Sequence, residues 1–192
     1  WLRYFFRPGD VTELRAIGVT RQGFKKTPVE AGFYSYESFD KMALDALITT
    51  ERAMGVYFVM NPLRKDILSR RANRIEPATT DFLADDKDVL ERHLLLIDLD
   101  PVRDPFISAT ATEKEHARKM ADAISKYLSE EAGWPSLAKA DSGNGYHLFG
   151  QIDMPNDPAS MKTIRGVLHW LGSKFDTPQC KVDRKVFNAS RI

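Results

Sequence analysis

The segment "HLLLIDLDP", His93–Pro101, constrains the fold more than any other part of this 192-residue chain. Its continuous apolar run predicts a β-strand covered on both faces, and therefore a central position in a sheet. The run ends in Asp98 and Asp100, which are two positions apart. A strand places two such residues on the same face, with Cα atoms about 6.5 Å apart. The segment therefore indicates a core strand that delivers two carboxylates to one spot.

The remaining sequence alternates between helical and extended patterns. The segment "GFYSYES", Gly32–Ser38, is predicted to be a turn region, and Asp104–Thr112 a loop. Strands interleaved with helices favour a mixed sheet with helices packed on it. We predict helices over Phe39–Met54, from the Thr112-x-x-Glu115 capping box to about Glu130, and over Asn156–Phe175, and strands over Val56–Met60, Leu137–Asp141, Tyr146–Ile152 and Cys180–Asn188.

Composition narrows the class of protein. The chain is 43% hydrophobic and 29% charged, which is typical of a soluble globular protein. It contains no run of about 18 apolar residues and no signal-peptide pattern, so we expect no membrane association and a cytoplasmic location. The single cysteine, Cys180, excludes an internal disulfide framework. Its length fits one domain, with a subdomain at about 1–90 and the chemical motifs at about 91–192, and a start at Trp1 suggests part of a longer chain.

The formal net charge is only +1, so any nucleic-acid surface must be local. The segment "NPLRKDILSRRANR", Asn61–Arg74, concentrates positive charge and has helical spacing at its end. An acidic segment, Asp81–Glu91, follows it. The basic residues could contact a nucleic-acid template, or they could form a solvated helix that pairs with the acidic segment. They are Arg64, Lys65, Arg70, Arg71 and Arg74.

The aspartate pair favours metal binding. Two carboxylates this close repel each other unless a cation lies between them. A pair of divalent ions about 3.5–4 Å apart resolves that conflict and can activate a nucleophilic oxygen. Asp183, in "KVDRKVF", is the leading candidate for a third acidic ligand. The alternative is that Asp98 and Asp100 form only a polar strand exit before a proline.

The segment "ADSGNGYHLFGQ", Ala140–Gln151, admits three interpretations. A dinucleotide loop is excluded because the third glycine is missing and a strand pattern follows where a helix is required. A hairpin fits, since Asn144-Gly145 is a preferred pair for a tight turn with positive φ. A phosphate cradle also fits, because His147 lies beside a turn whose N–H groups could bind an anionic oxygen.

Three segments in order, "LIDLDP", "SGNGYHL" and "VDRKVFNASRI", resemble the three motifs of the archaeo-eukaryotic primase superfamily. The likeness is closest to the primase-polymerase domains carried by phages, plasmids and other mobile elements. It extends through "VYFVMNP", "RRANR" and "DPVRDPFISATATEKE", and so covers roughly Gly32 to Ile192. It implies an α+β fold, with an RRM-like catalytic core whose helices pack on a mixed, largely antiparallel sheet, and with an N-terminal α/β subdomain.

The resemblance also implies roles for individual residues. Asp98, Asp100 and Asp183 would be catalytic and would hold two Mg²⁺ or Mn²⁺ ions. Many members have a serine two residues before the histidine where this chain has Gly145, so the donor role would pass to Ser142 or the backbone. Arg71 and Asn73 match a recurrent segment without an assigned role. The implied triphosphate-binding residues are Ser142, Gly143, Asn144, Gly145, His147, Asn188 and Arg191.

The expected activity is template-directed nucleotidyl transfer by a DNA primase or polymerase. The expected partners are a DNA template and primer, an NTP or dNTP, and a fused or associated helicase. Three alternatives remain open: a metal-dependent nuclease, a binding module without catalytic activity, and a scaffold in which the acids and His147 are structural.

Overall fold

Two four-stranded antiparallel sheets with their helices make up the α+β structure of residues 2–20, 29–104 and 107–192, the part that the computed structural model describes. The structure divides into two compact units. The first unit comprises Trp1–His93 with Ala189–Ile192, and the second unit comprises Leu94–Asn188.

The first unit has the strand order β3-β1-β2-β4. All three pairings in its sheet are antiparallel, so the predicted α/β character of the N-terminal subdomain is wrong. Short 3-10 turns, among them Lys65–Ser69, connect its later elements. Its helices and strands are α1 (Leu2–Phe5), β1 (Val11–Ile17), β2 (Val29–Ser35), α2 (Phe39–Thr50), β3 (Gly55–Phe58) and β4 (Glu76–Ala78).

Two predictions in the first unit need correction. The expected turn region Gly32–Ser38 contains the end of β2, because Phe33 and its neighbours pair with β1 and are buried. Helix α2 ends at Thr50, four residues before the predicted Met54. Strand β3 confirms a strand beginning near Val56, although it ends at Phe58.

The last four residues of the chain complete the core of the first unit. Ala189 is fully buried in a cluster with Val11, Phe33 and Leu63. Asn61, also fully buried, donates from Nδ2 to the carbonyl oxygen of Ala189 (2.9 Å) and accepts at Oδ1 from the His93 N–H (2.9 Å). The segment from Ala189 is therefore held by a buried side chain as well as by apolar contact.

The second unit has the element order β-α-β-β-α-β and the strand order β6-β7-β5-β8. Strand β5 lies between β7 and β8, and its residues 92–99 are buried, so the predicted central strand is confirmed. Helices α3 and α4 contact each other and the sheet. The elements are β5 (Glu91–Pro101, which begins in the first unit), α3 (Ala111–Glu130), β6 (Ala138–Asp141), β7 (Tyr146–Pro155), α4 (Pro158–Phe175) and β8 (Cys180–Val182).

The helices of the second unit begin at capping side chains. Helix α4 begins at Pro158, two residues after the predicted start at Asn156, and its cap Asp157 accepts from the Ser160 N–H (2.7 Å). The N-cap of helix α3 is Thr110, two residues before the predicted cap at Thr112. Thr110 and Glu113 form the capping box instead, and the sequence pattern fits both pairs.

The last predicted strand is shorter than expected. Strand β8 stops at Val182 because the Asp183 side chain accepts from the Lys185 N–H (2.8 Å) and turns the chain. Cys180 is buried in this strand, and burial raises the pKa of its thiol to about 11. The predicted loop Asp104–Thr112 includes Pro105 and Phe106, which lie outside the described residues.

None of the helices in the described ranges combines the length and hydropathy that a membrane span requires.

We predict that Asn61→Ala lowers the free energy of unfolding by about 2–4 kcal/mol, because it leaves a buried N–H and a buried carbonyl without their partner. Urea titration followed by circular dichroism measures the change. Thr50→Ala is the control, since it removes a hydrogen bond of similar length, from the Thr50 hydroxyl to the Ala46 carbonyl oxygen (2.8 Å), on the exposed face of α2. That control should change stability by less than about 0.5 kcal/mol. Equal effects of the two variants would contradict the structural role of Asn61.

Candidate functional site

The three predicted acids lie in the second unit, on β5 and just after β8. Asp98 and Asp100 are two apart near the carboxyl end of β5. The N–H of Asp183 donates to the carbonyl oxygen of Asp98 (2.8 Å), so the residue after β8 is still tied to β5. The sequence predicted the pairing of Asp98 and Asp100 from strand period, while the position of Asp183 depends on sheet order.

His147, near the start of β7, also reaches this cluster. Its Nε2 lies 3.3 Å from Oδ1 of Asp98, and both side chains are mostly buried. The contact lacks the alignment of a hydrogen bond, and Oδ1 of Asp98 accepts none from the described residues. The His147 ring also meets Phe149 edge to face, with centroids 5.9 Å apart, as expected for neighbours on one face of a strand.

The environment of Asp100 is unfavourable for its charge. Desolvation by the surrounding protein raises the pKa of Asp100 above its usual value, although the residue keeps an exposed surface, and the negative charges of Asp98 and Asp183 raise it further. Arg103 and His147 oppose this shift to a smaller degree. The three acids are therefore close enough to repel one another, and the local cations do not compensate.

These residues fit divalent cations. Carboxylate oxygens are the donors that Mg²⁺ and Mn²⁺ prefer. A buried carboxylate oxygen without a hydrogen bond, at Asp98, and a carboxyl whose ionisation is opposed by its acidic neighbours, at Asp100, are both relieved by added positive charge. Asp98, Asp100 and Asp183 do not bring three oxygens within 4.8 Å of one another, so a single small ion does not account for all three.

The segment Ser142–Gly145 forms the four-residue loop of the β6–β7 hairpin. The hairpin interpretation is confirmed, but the positive φ (93°) is at Gly143 and not at Asn144-Gly145. Three of its N–H groups already have acceptors within the turn: Ser142 donates to the Gly145 carbonyl, Gly143 to the Asp141 carboxylate and Gly145 to the Ser142 hydroxyl. In this conformation those amides are engaged and are not free for an anion.

Gly145 has a second structural role. A Cβ atom at this position would overlap the carbonyl oxygen of Leu99 and come within 3.4 Å of the Asp100 carboxylate. Only a glycine allows the hairpin to approach the acidic end of β5 this closely. The absence of a side chain here thus brings the turn beside the acids.

Positive side chains flank the acids on one side. Asp100 and Asp183 line an open cleft of about 340 Å³ together with Lys181 and Lys185. Arg184 also borders it and is held by Asp176 (Nη2–Oδ2 2.7 Å). A cleft with carboxylates and ammonium groups offers separate places for cations and for phosphate oxygens.

Sequence analysis did not assign roles to Arg103, Lys181 or Lys185. Arg103 lies three residues after Asp100, and its charge lowers the Asp100 pKa. Lys181 and Lys185 flank Asp183 at two residues on either side. Alternating charge around a candidate metal ligand was the available signal for these residues.

Asn188 and Arg191 fall in different units. Asn188 ends the second unit, whereas Arg191 belongs to the last segment of the first unit. The carbonyl oxygen of Arg191 accepts from the Met60 N–H (3.3 Å), and its Nε is buried without a hydrogen bond to the described residues.

The predicted basic segment of the first unit is largely neutralised by internal partners. Arg70 makes a two-pronged ion pair with Asp88 (2.9 and 3.0 Å), which lies in the acidic segment. Arg74 pairs with Glu76 (3.0 Å), and Arg64 pairs with Asp66. The expected helical spacing is wrong beyond Ser69, because only the short 3-10 turn Lys65–Ser69 forms. This geometry favours the interpretation in which the basic and acidic segments pair with each other.

Arg71 and Asn73 receive a structural explanation. Arg71 donates from Nη1 to the carbonyl oxygens of Ala31 and Glu76 (both 2.9 Å). Asn73 adopts positive φ (52°), and its side chain accepts from the Ser35 N–H (3.0 Å). Both residues attach the segment after the 3-10 turn to the edge of β2.

Comparisons of this chain with models of protein families, with curated proteins and with solved structures find no match.

We predict that Gly145→Ala destabilises the protein by about 1–3 kcal/mol, because the added methyl group forces β7 away from β5. Gly166→Ala is the matched control: it lies within α4 with open space around its Cβ position, so alanine should stabilise by about 0.5–1 kcal/mol. Chemical denaturation measures both. The close approach at Gly145 would be contradicted if both variants changed the free energy of unfolding in the same direction.

We predict that Asp100→Asn raises the melting temperature at pH 7.5 in EDTA by about 1–2 °C, because solvent screens much of the repulsion at this exposed carboxylate. Because the folded-state pKa of Asp100 is raised, its ionisation opposes folding, and this cost is present above the folded pKa and disappears below the unfolded value of about 3.9. The difference from the unaltered protein should therefore shrink as the pH falls toward 4.

The control for this experiment is Asp104→Asn, which removes one charge at an exposed position. Added Mn²⁺ should raise the melting temperature of the unaltered protein more than that of Asp100→Asn. A lower melting temperature for Asp100→Asn at pH 7.5 would contradict the unfavourable acidic cluster.

Proposed function

We propose that this chain is a nucleotidyltransferase that extends, and as a primase initiates, a nucleic-acid chain on a DNA template. The observation that carries the proposal is the convergence of Asp98, Asp100, Asp183 and His147 around the end of β5. These are the residues that the resemblance to primase-polymerase domains identifies, and they come from three distant parts of the sequence.

The topology of the second unit supports an RRM-like core. Its β-α-β-β-α-β order with the outer strand β8 beside β5 is the arrangement of split βαβ folds, to which RRM domains belong. The three resembling motifs fall on the first strand, on the middle hairpin and directly after the last strand. This placement gives the motifs a common structural context.

The three aspartates would hold two Mg²⁺ or Mn²⁺ ions. Such ions would lower the pKa of the attacking 3′-hydroxyl and stabilise negative charge on the leaving pyrophosphate. Asp98 and Asp100 contribute oxygens from one strand face, and Asp183 contributes from the neighbouring chain segment. The backbone hydrogen bond from Asp183 to Asp98 holds these carboxylates next to each other before any substrate binds.

The triphosphate would be bound by His147 and by the residues that the resemblance identifies beside it. The Nε2 of His147 lies 3.3 Å from the Asp98 carboxylate, and an imidazole N–H is a suitable donor to a phosphate oxygen. Lys181 and Lys185 add positive charge in the adjoining cleft. The proposal includes backbone or side-chain contacts from Ser142, Gly143, Asn144 and Gly145, and contacts from Asn188 and Arg191.

The turn must change before its amides contribute. Three of its N–H groups are engaged internally, so phosphate binding there requires their present acceptors to be exchanged for phosphate oxygens. The proposed partners are a DNA template and primer and an NTP or dNTP, with a helicase as the associated protein and the cytoplasm as the location. Template contacts by Arg64, Lys65, Arg70, Arg71 and Arg74 would require several of their ion pairs to open.

A metal-dependent nuclease is the second candidate. It would use the same acids and His147 but needs no triphosphate site. The occupied turn amides are the observation that favours it.

Primer extension on a DNA template tests the proposal. The unaltered protein should extend a primer with dNTPs or NTPs in Mg²⁺ or Mn²⁺. Asp98→Ala/Asp100→Ala should lose at least about 10³-fold in rate, because no residue replaces the lost ion ligands. Asp122→Ala is the control, since Asp122 lies on α3 in ion pairs with Arg118 and Lys139. That control should retain the rate.

Two outcomes would overturn polymerase activity. One is metal-dependent cleavage of the primer or template without extension, lost in Asp98→Ala/Asp100→Ala, which would establish the nuclease. The other is a folded protein that neither extends nor cleaves but binds a dNTP or DNA, which would establish a binding module.

A further inference from the structure

The outward face of helix α2 exposes a cluster of large apolar side chains. Leu44, Leu47 and Ile48 are 61%, 67% and 61% exposed. The opposite side of the helix is buried through Phe39, Met42 and Thr49 and packs against the sheet of the first unit. The helix is therefore apolar on two sides, and folding of the described chain covers only one of them. Exposed apolar clusters of this kind are typical of interaction surfaces.

The exposed residues form one continuous surface. Leu44, Leu47 and Ile48 have the i, i+3, i+4 spacing that places side chains on the same helical face. Lys41 lies three residues before Leu44, and Glu51 lies three residues after Ile48, so both belong to this face and both are exposed. The surface, which we term the α2 face, has Lys41 at one end, an apolar centre and Glu51 at the other end. Asp40 is also exposed at the first end, where Arg3 pairs with it (3.0 Å).

This charge arrangement is complementary to itself. When two copies of one helix pack antiparallel around a twofold axis, residues equally distant from the centre face each other. With the axis near residue 46, Lys41 faces Glu51 of the second copy at both ends, and Leu44 faces Ile48 of the second copy. Because the α2 face supplies its own opposite charges in the required places, a second copy needs no further feature to match it.

We propose that two copies of this chain associate through the α2 face as an antiparallel, twofold-symmetric helix pair. The apolar centre provides the attraction, and the two Lys41–Glu51 contacts set the register. Lys41 also pairs with Asp45 of its own helix (2.6 Å), but an ammonium group has three N–H donors and serves both acids. An interface this small is expected to dissociate on the order of micromolar concentrations.

Analytical ultracentrifugation of the full chain tests the dimer between about 1 and 200 µM, the range suited to a small interface. The weight-average mass should rise from 21.8 kDa toward twice that value with concentration. Leu47→Glu should keep the mass at that of one chain throughout, because it places charge in the apolar centre. Leu90→Glu is the matched control, since Leu90 is 54% exposed outside this helix, and it should associate like the unaltered chain.

A charge exchange tests the register. Lys41→Glu alone and Glu51→Lys alone should each weaken association about three- to tenfold, because like charges then face each other. The double variant should restore it, and thermal melts should show that all the variants are folded. A single-chain mass at every concentration, a dimer that survives Leu47→Glu, or a double variant weaker than both single variants would each overturn the proposal.

Discussion

Electrostatic repulsion at the end of a buried strand is the constraint on which the candidate site depends. Strand β5 carries Asp98 and Asp100 out of an apolar core, and the chain returns after β8 to add Asp183 beside them. Desolvation and the neighbouring charges both raise the pKa of Asp100, so the folded protein carries an unfavourable cluster that its own cations do not neutralise. A bound cation would neutralise the repulsion between these carboxylates. The same carboxylates therefore lower the folding stability of the second unit and would bind the metal ions of the proposed reaction.

The β6–β7 hairpin illustrates how one segment serves packing and chemistry together. Gly145 lacks a side chain because the backbone of β5 passes beside it, and that approach is also what brings His147 next to Asp98. The turn amides meanwhile satisfy one another within the hairpin. A substrate phosphate would have to compete with these internal bonds, whereas the His147 ring already points to the acids. In the proposed triphosphate site, His147 would bind without rearrangement, whereas the turn backbone would have to rearrange.

In the basic segment, Asn61–Arg74, most of the arginines that suggested a binding surface have partners within the first unit. A concentration of arginines in a nearly neutral chain suggested a nucleic-acid surface, yet Arg70 and Arg74 have carboxylate partners within the same unit. Arg71 and Asn73 instead fasten their segment to β2. Charge density along a sequence does not distinguish a binding surface from an internal ion-pair network, because the carboxylate partner of Arg70 lies 18 residues away.

Local patterns determined a definite part of this protein. The apolar run of β5 determined a central strand, the i, i+2 spacing placed Asp98 and Asp100 on one face, and Asp157-Pro158 determined the start of α4, since each depends only on neighbouring residues. Only the tertiary structure decided that Asp183 and His147 join those acids, that Thr110 rather than Thr112 caps α3, and that the last four residues complete the first core. These outcomes depend on strand order, on competition between equivalent caps and on contacts across more than a hundred residues, such as Asn61 with Ala189. The free energy of such contacts is a property of the packed chain, and no short segment contains it.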